Sequence, residues 1–379
     1  VNYLPQLNDL IKDEINKVIQ TQTSGIRLST YWKPMSSYAS VKEKIGSPSA
    51  NWMSQSDIQK KFIRELHLPG THDSGAIQLT KGLAQTKDAV GQGIKYKEIG
   101  FLWRLRPDMA PSNGEWPFPN NSDDNGSIFV GKEFYSEITQ RVVKGIAEAG
   151  NQDFARQLEL GIRWFDVRIY LDLDDNFYLQ HALRGPMFSD VLKQVKAFID
   201  AHPEGQELVF LDLSHANFDE TAAAKVSDLI KEILPPQNLP HFVNDQGSTK
   251  FDFQSLNRTV GSLVGEQTKV MILNSDCWGR QYPAPITNTP GFNESGPDLQ
   301  FFRWYKEPAV SDIVPWIAQH LKSGGETDGL LKLLATHHNG LLEDELKKNL
   351  KANVVSVDWP QCSSGKLPVE QILALNSAS

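Results

Sequence analysis

The chain has 379 residues, 40% of them hydrophobic, and a formal net charge of −8. That length is enough for a large core, and α/β barrels of one domain reach this size as readily as two ordinary domains do. No Lys/Arg-rich run offsets the acidity, which argues against a nucleic-acid partner and against a mainly electrostatic grip on anionic membrane, since both need a basic surface.

The first element in chain order is an amphipathic helix over 5–20, where Leu7, Leu10, Ile11, Ile15, Val18 and Ile19 recur at helical spacing. A polar stretch carries this N-terminal extension to about residue 56. The opening Val1-Asn2-Tyr3-Leu4 has no charged region followed by an apolar one, which fits a processed chain and a shortened one equally. Short apolar runs then read as buried strands near 64–68, 162–170, 176–181, 207–213, 268–274, 299–304, 330–336 and 353–358. Helices fill several intervals. One starts at Ser189-Asp190 and stops at His202-Pro203, one covers 220–234, one covers 311–322, and one covers 341–351.

Strands alternating with helices predict one domain over 1–379, a distorted (β/α)8 TIM-like barrel. An open doubly wound sheet competes, but its Gly-rich phosphate turn is missing. No run reaches the roughly 20 apolar residues that span a bilayer. Residues 80–150 interrupt the rhythm as a long, turn-rich insertion after the first strand, expected at the rim. Its Phe101, Trp103, Trp116 and Phe118 either pack the insertion onto the barrel, the plainer expectation, or touch lipid. Cys277 and Cys362 are too few for a disulfide scaffold or a Cys-rich zinc site, and one bridge or two thiols both fit.

The chemistry concentrates at strand ends. His72 lies in Leu68-Pro69-Gly70-Thr71-His72-Asp73-Ser74-Gly75, and His181 closes Phe177-Tyr178-Leu179-Gln180-His181. Between them, strand alternation puts Asp166 and Arg168 on one side of Trp164-Phe165-Asp166-Val167-Arg168. Two imidazoles, a carboxylate and a guanidinium supply a base, an acid and a phosphate clamp, which suffices for phosphodiester cleavage without a metal. A structural ion pair is the plain alternative for Asp166 and Arg168. Asp212 and Ser214 end the fourth strand. Asn274, Asp276 and Arg280 follow the fifth, where they are candidates for substrate hydroxyls. His337 and His338 follow the seventh, and one of them, His337, is a further candidate. His67, His202, His215, His241 and His320 are read as structural or solvated.

The stretch Leu68–Gly75, with Asn51-Trp52-Met53 before it, resembles the first catalytic motif of the bacterial phosphatidylinositol-specific phospholipases C, the X-domain family. Gly161–Arg168 is similar to the second motif, His181 follows at the family's spacing, and Val354-Val355-Ser356-Val357-Asp358-Trp359 resembles its last barrel strand. The resemblance implies a general base (His72), a carboxylate orienting it (Asp358), a phosphate-holding Arg168, a general acid (His181), and Asp73 and Asp166 completing the network. It implies inositol 1,2-cyclic phosphate and diacylglycerol as products. The implied partner is phospholipid at a membrane surface, touched peripherally by a monomer whose expected location is extracellular rather than cytoplasmic. The departures are the insertion and Ala182, where the family usually has Gly.

Calcium-dependent relatives carry Glu-x-Asp where this chain has Asp166-x-Arg168, so no cofactor is expected, with calcium as the alternative. The competing functions are a metal-dependent glycerophosphodiesterase-like barrel and a non-catalytic headgroup-binding barrel.

Overall fold

The computed structural model describes residues 50–79, 148–240, 255–274, 282–289, 300–304, 330–348 and 351–377, apart from short breaks at 173, 182, 214–215, 217–219 and 364. The expected helices over 5–20 and 311–322 lie outside the described residues, as do Cys277 and nearly all of the 80–150 insertion.

A seven-stranded, wholly parallel sheet forms the frame. Its strands are β1 (Leu68–Thr71), β2 (Trp164–Asp166), β6 (Leu208–Asp212), β7 (Lys269–Asn274), β8 (Ile286–Asn288), β9 (Phe301–Arg303) and β10 (Val354–Val357). They run in the order β8-β7-β6-β2-β1-β10-β9. The architecture is thus a distorted α/β barrel sheet, and among the described residues no pairing joins β8 to β9 to close it. A second sheet, β3 (Ile169–Leu171), β4 (Phe177–His181) and β5 (Leu183–Met187), is antiparallel.

The parallel strands are buried on both faces, as such sheets require. Val209, Leu211, Val270, Ile272 and Phe165 face one apolar cluster, while Trp164, Phe210, Met271, Leu68 and Val354 face another. Helix α1 (Phe154–Glu159) is capped by Asp153, whose carboxylate accepts from the Arg156 amide. Helix α2 (Phe188–Ala201) buries Val191, Leu192, Val195, Phe198 and Ile199, one stripe at helical spacing. Each such side chain contributes about 1.5–3 kcal/mol. Helix α3 (Glu220–Ile233) buries Ala222, Ala223, Val226 and Ile230 in the same cluster. The short helix α4 spans Val260–Val264.

Three sequence expectations change. The apolar run 330–336 is not a strand but part of helix α5 (Leu330–Asn339), because Leu and Ala favour helix and the first β-branched residue is Thr336. The run 162–170 is not one strand: β2 ends at Asp166, and β3 turns away to pair with β4. His181 therefore ends a hairpin strand rather than a barrel strand. Helix α6 (Leu342–Lys348) leads toward β10, and α7 (Pro368–Ser377) follows it.

Arg163, at the entry to β2, has a wholly buried side chain. Its guanidinium donates from Nε to Glu207 Oε2 at 2.8 Å, from one terminal nitrogen to the Leu158 and Ile162 carbonyls, and from the other to the Ala50 carbonyl. Glu207 Oε1 accepts from the amide and the hydroxyl of Ser54, both at 2.9 Å. This network sits at the N-terminal edge of the strands, the edge that serves stability in barrels.

Candidate active site

Because all seven sheet strands are parallel, their C-terminal ends share one edge. His72 and Asp73 follow β1, Asp166 ends β2, and Asp358 follows β10. These three strands are neighbours in the sheet, so residues 286 positions apart meet. His72 Nδ1 lies 3.0 Å from Asp358 Oδ1. The His72 amide donates to the Val357 carbonyl at 3.1 Å, which ties the two strand exits together.

Asp73 stands at the centre with a fully buried side chain. Its Oδ2 is 3.2 Å from His72 Nε2 and 3.2 Å from His181 Nε2, and its Oδ1 pairs with Arg168 Nε. Arg168 also donates to Asp166 Oδ2, from a terminal nitrogen at 2.8 Å and from Nε at 3.1 Å. Asp166 Oδ2 further accepts from the Asp73 amide at 3.1 Å. The two imidazole rings face each other edge-on, with centroids 6.4 Å apart.

The hairpin delivers His181. Leu179, wholly buried on β4, presses on Gly75, where an added Cβ would lie 1.8 Å from Leu179 Cδ2. Only glycine permits that approach. Behind the His72–Asp73 turn, Thr71 Oγ1 donates to buried Gln157 Oε1 at 2.9 Å, a support that the sequence did not announce. Asp73 itself takes a φ of 43°, which aspartate tolerates better than most residues.

His72 Nε2 has two neighbours with opposite demands. A protonated ring donates to Asp73, whereas a neutral one accepts from the Arg168 terminal nitrogen at 3.2 Å. Burial alone would lower the His72 pKa. The Asp73 and Asp358 carboxylates and the Asp358 hydrogen bond overcome both burial and the Arg168 charge, and raise it from 6.5 to about 9. Since the folded value lies above the ordinary one, this pairing stabilises fully below pH 6.5 and is lost as pH rises through about 9. The expected loss is up to about 3 kcal/mol, read as a fall in urea midpoint between pH 6 and 10. A His72→Gln variant showing the same fall would overturn the assignment to His72.

His72, Asp73, Asp166, Arg168, His181 and Asp358 therefore come together. Of the other candidates, Asp212 ends β6 in register with Asp166 and is buried. Asn274 is also buried, but its amide donates to Asn288 Oδ1 at 3.0 Å, so that group serves the β7–β8 edge rather than a bound headgroup. Asp276, Arg280 and the side chain of His337 lie outside the described residues. Its neighbour His338 is a core group stacked on Trp304 at 3.7 Å. His67 and His202 are structural as expected, on the Ala352 carbonyl and Glu159 respectively.

A metal would find ligand atoms of His72, Asp73 and Asp166 within 4.8 Å of one another. The same carboxylates hold the Arg168 guanidinium, a fixed positive charge that opposes a cation there. The donor set does not fit a divalent ion.

No family model matches the chain. Among curated proteins it is 37% identical to mouse (Mus musculus) PI-PLC X domain-containing protein 2 over 81 residues, 21% of this chain and 23% of that one. It is 31% identical to zebrafish (Danio rerio) PI-PLC X domain-containing protein 3 over 160 residues, 41% of this chain and 48% of that one. The chain thus spans less than half the length of these relatives. Among solved structures, a variant of phosphatidylinositol-specific phospholipase C from Staphylococcus aureus aligns with 87% of this chain and 98% of its own, at 18% identity and a TM-score of 0.47. The Listeria monocytogenes phosphatidylinositol-specific phospholipase C aligns with 88% and 99%, at 14% identity and a TM-score of 0.46. In sequence this chain is a relative of the PI-PLC X domain-containing proteins.

Proposed function

We propose that the protein is a phosphatidylinositol-type phospholipase C that cleaves the glycerol–phosphate bond by acid–base catalysis without a metal. One observation supports this reading above the others: two imidazoles 6.4 Å apart flank a carboxylate-anchored guanidinium. His72 Nε2 takes the proton of the inositol 2-hydroxyl, and that oxygen attacks phosphorus. The bond from phosphorus to the glycerol oxygen breaks, and His181 Nε2 gives the departing oxygen its proton. Asp358, on Nδ1, fixes the tautomer and stabilises the charged ring. Arg168 stabilises charge developing on the phosphoryl oxygens. Because the nucleophile belongs to the substrate, proton transfer and charge stabilisation are what remains for the protein to supply.

The chain meets its lipid peripherally, as an extracellular monomer in this reading. No helix among the described residues is long and apolar enough to cross a membrane.

The test is release of cyclic inositol phosphate from phosphatidylinositol vesicles in excess chelator, with activity expected to persist undiminished. Loss restored only by Ca²⁺ would favour the metal-dependent alternative. No turnover of any phosphodiester would leave a headgroup-binding barrel.

A further inference from the structure

The turn after β10 is held in a conformation its residues do not prefer. Trp359, next to Asp358, has a φ of 47°, the left-handed region that bulky side chains avoid. Such a conformation persists only where its surroundings over-determine it. The Trp359 amide donates to the Ala149 carbonyl at 2.7 Å, and its indole donates to the Glu148 carbonyl at 2.8 Å.

The third anchor is Asn339, the buried last residue of α5. Its Nδ2 donates to the carbonyls of Asp358 (3.0 Å), Trp359 (3.2 Å) and Cys362 (2.9 Å). One amide thus gathers three carbonyls around the backbone that carries the Asp358 carboxylate. No hydrophobic residue of that shape can do so, because the carbonyls would lose their donor in a dry site.

We propose that Asn339 is a positioning residue for the acid–base pair: it fixes the Asp358–Trp359 turn and thereby the carboxylate that orients His72. The inference rests on the reading of His72 as the general base, but its geometry is testable without turnover. It predicts that loosening the turn lets the carboxylate leave Nδ1, which weakens the hold on the protonated ring.

The experiment is an NMR titration of the His72 ring in the full chain, with kcat and KM on phosphatidylinositol vesicles alongside. Asn339→Leu is expected to lower the His72 pKa by about 1 and kcat by about 10- to 100-fold, with KM within about threefold. Gln371→Leu is the control. Gln371 Nε2 donates to the Asn339 and Lys366 carbonyls, so its loss weakens the same region without touching the three gathered carbonyls. It is expected to lower thermal stability and leave the His72 pKa in place.

If Asn339→Leu does not accumulate folded, Asn339→Ser, smaller and with one hydroxyl donor, takes its place under the same criteria. An unmoved His72 pKa in the Asn339 variant, or an equal shift in both variants, would overturn the positioning role. If wild type turns over no substrate, the catalytic reading fails, while the titration still decides whether Asn339 sets the Asp358–His72 contact.

Discussion

His72→Ala is expected to lower kcat/KM on phosphatidylinositol by about 10³- to 10⁴-fold, the range a positioned general base supplies. The fold is expected to survive, because the remaining charges keep partners: Arg168 stays paired with Asp73 and Asp166. Removing the ring also removes the group between Asp358 and Asp73, so any lost stability shows below about pH 9, where that ring is charged. Cyclic-product release and thermal melts at pH 7 separate the two effects. Imidazole added to the solution is expected to restore part of the rate, since the vacated space lies in a site whose histidine side chain is 16% exposed. A variant with wild-type turnover would remove His72 from the mechanism, and the reading with it.

Glu207→Ala is expected to cost about 3–5 kcal/mol of stability while leaving the folded fraction catalytically unchanged. The reason is asymmetric. A buried ion pair adds little net stability over apolar groups of the same shape, but removing one partner strands the other. Here the stranded group would be the Arg163 guanidinium, fully buried and left with carbonyl partners alone. The same substitution takes away the acceptor of the Ser54 amide and hydroxyl, so segment 50–54 loosens from the sheet. Replacing both partners, Arg163→Met with Glu207→Leu, is expected to regain most of the loss. Urea unfolding of the three variants measures it. A single substitution costing under about 1 kcal/mol would show that water already reaches the pair.

Arg163 and Arg168 stand five positions apart and do opposite work, which the sequence did not distinguish. One enters β2 and is buried at the stability edge; the other leaves it and faces the imidazoles. Periodicity located the strand between them, but not the break at Val167 that sends β3 into a different sheet. The hairpin explains why His181 was found by its spacing and misplaced in architecture: a short alternating run looks the same in a barrel and in a meander. The run at 330–336 failed for a related reason, since four leucines in five positions carry no period.

By itself the sequence determined the chemical inventory: which imidazoles, which guanidinium, which carboxylates, and that they sit at strand ends. It could do so because parallel strands read as short apolar runs whose final polar residues stand out. Only the tertiary structure decided which of those ends meet. Strand order is a long-range property set by pairing, and it places β10 beside β1 across 286 positions while setting Asn274 on the far side of β6. The supports, Gln157 under the His72 turn and Asn339 under the Asp358 turn, left no local mark. An amide that satisfies distant carbonyls follows no periodicity, and only the folded chain shows what it holds.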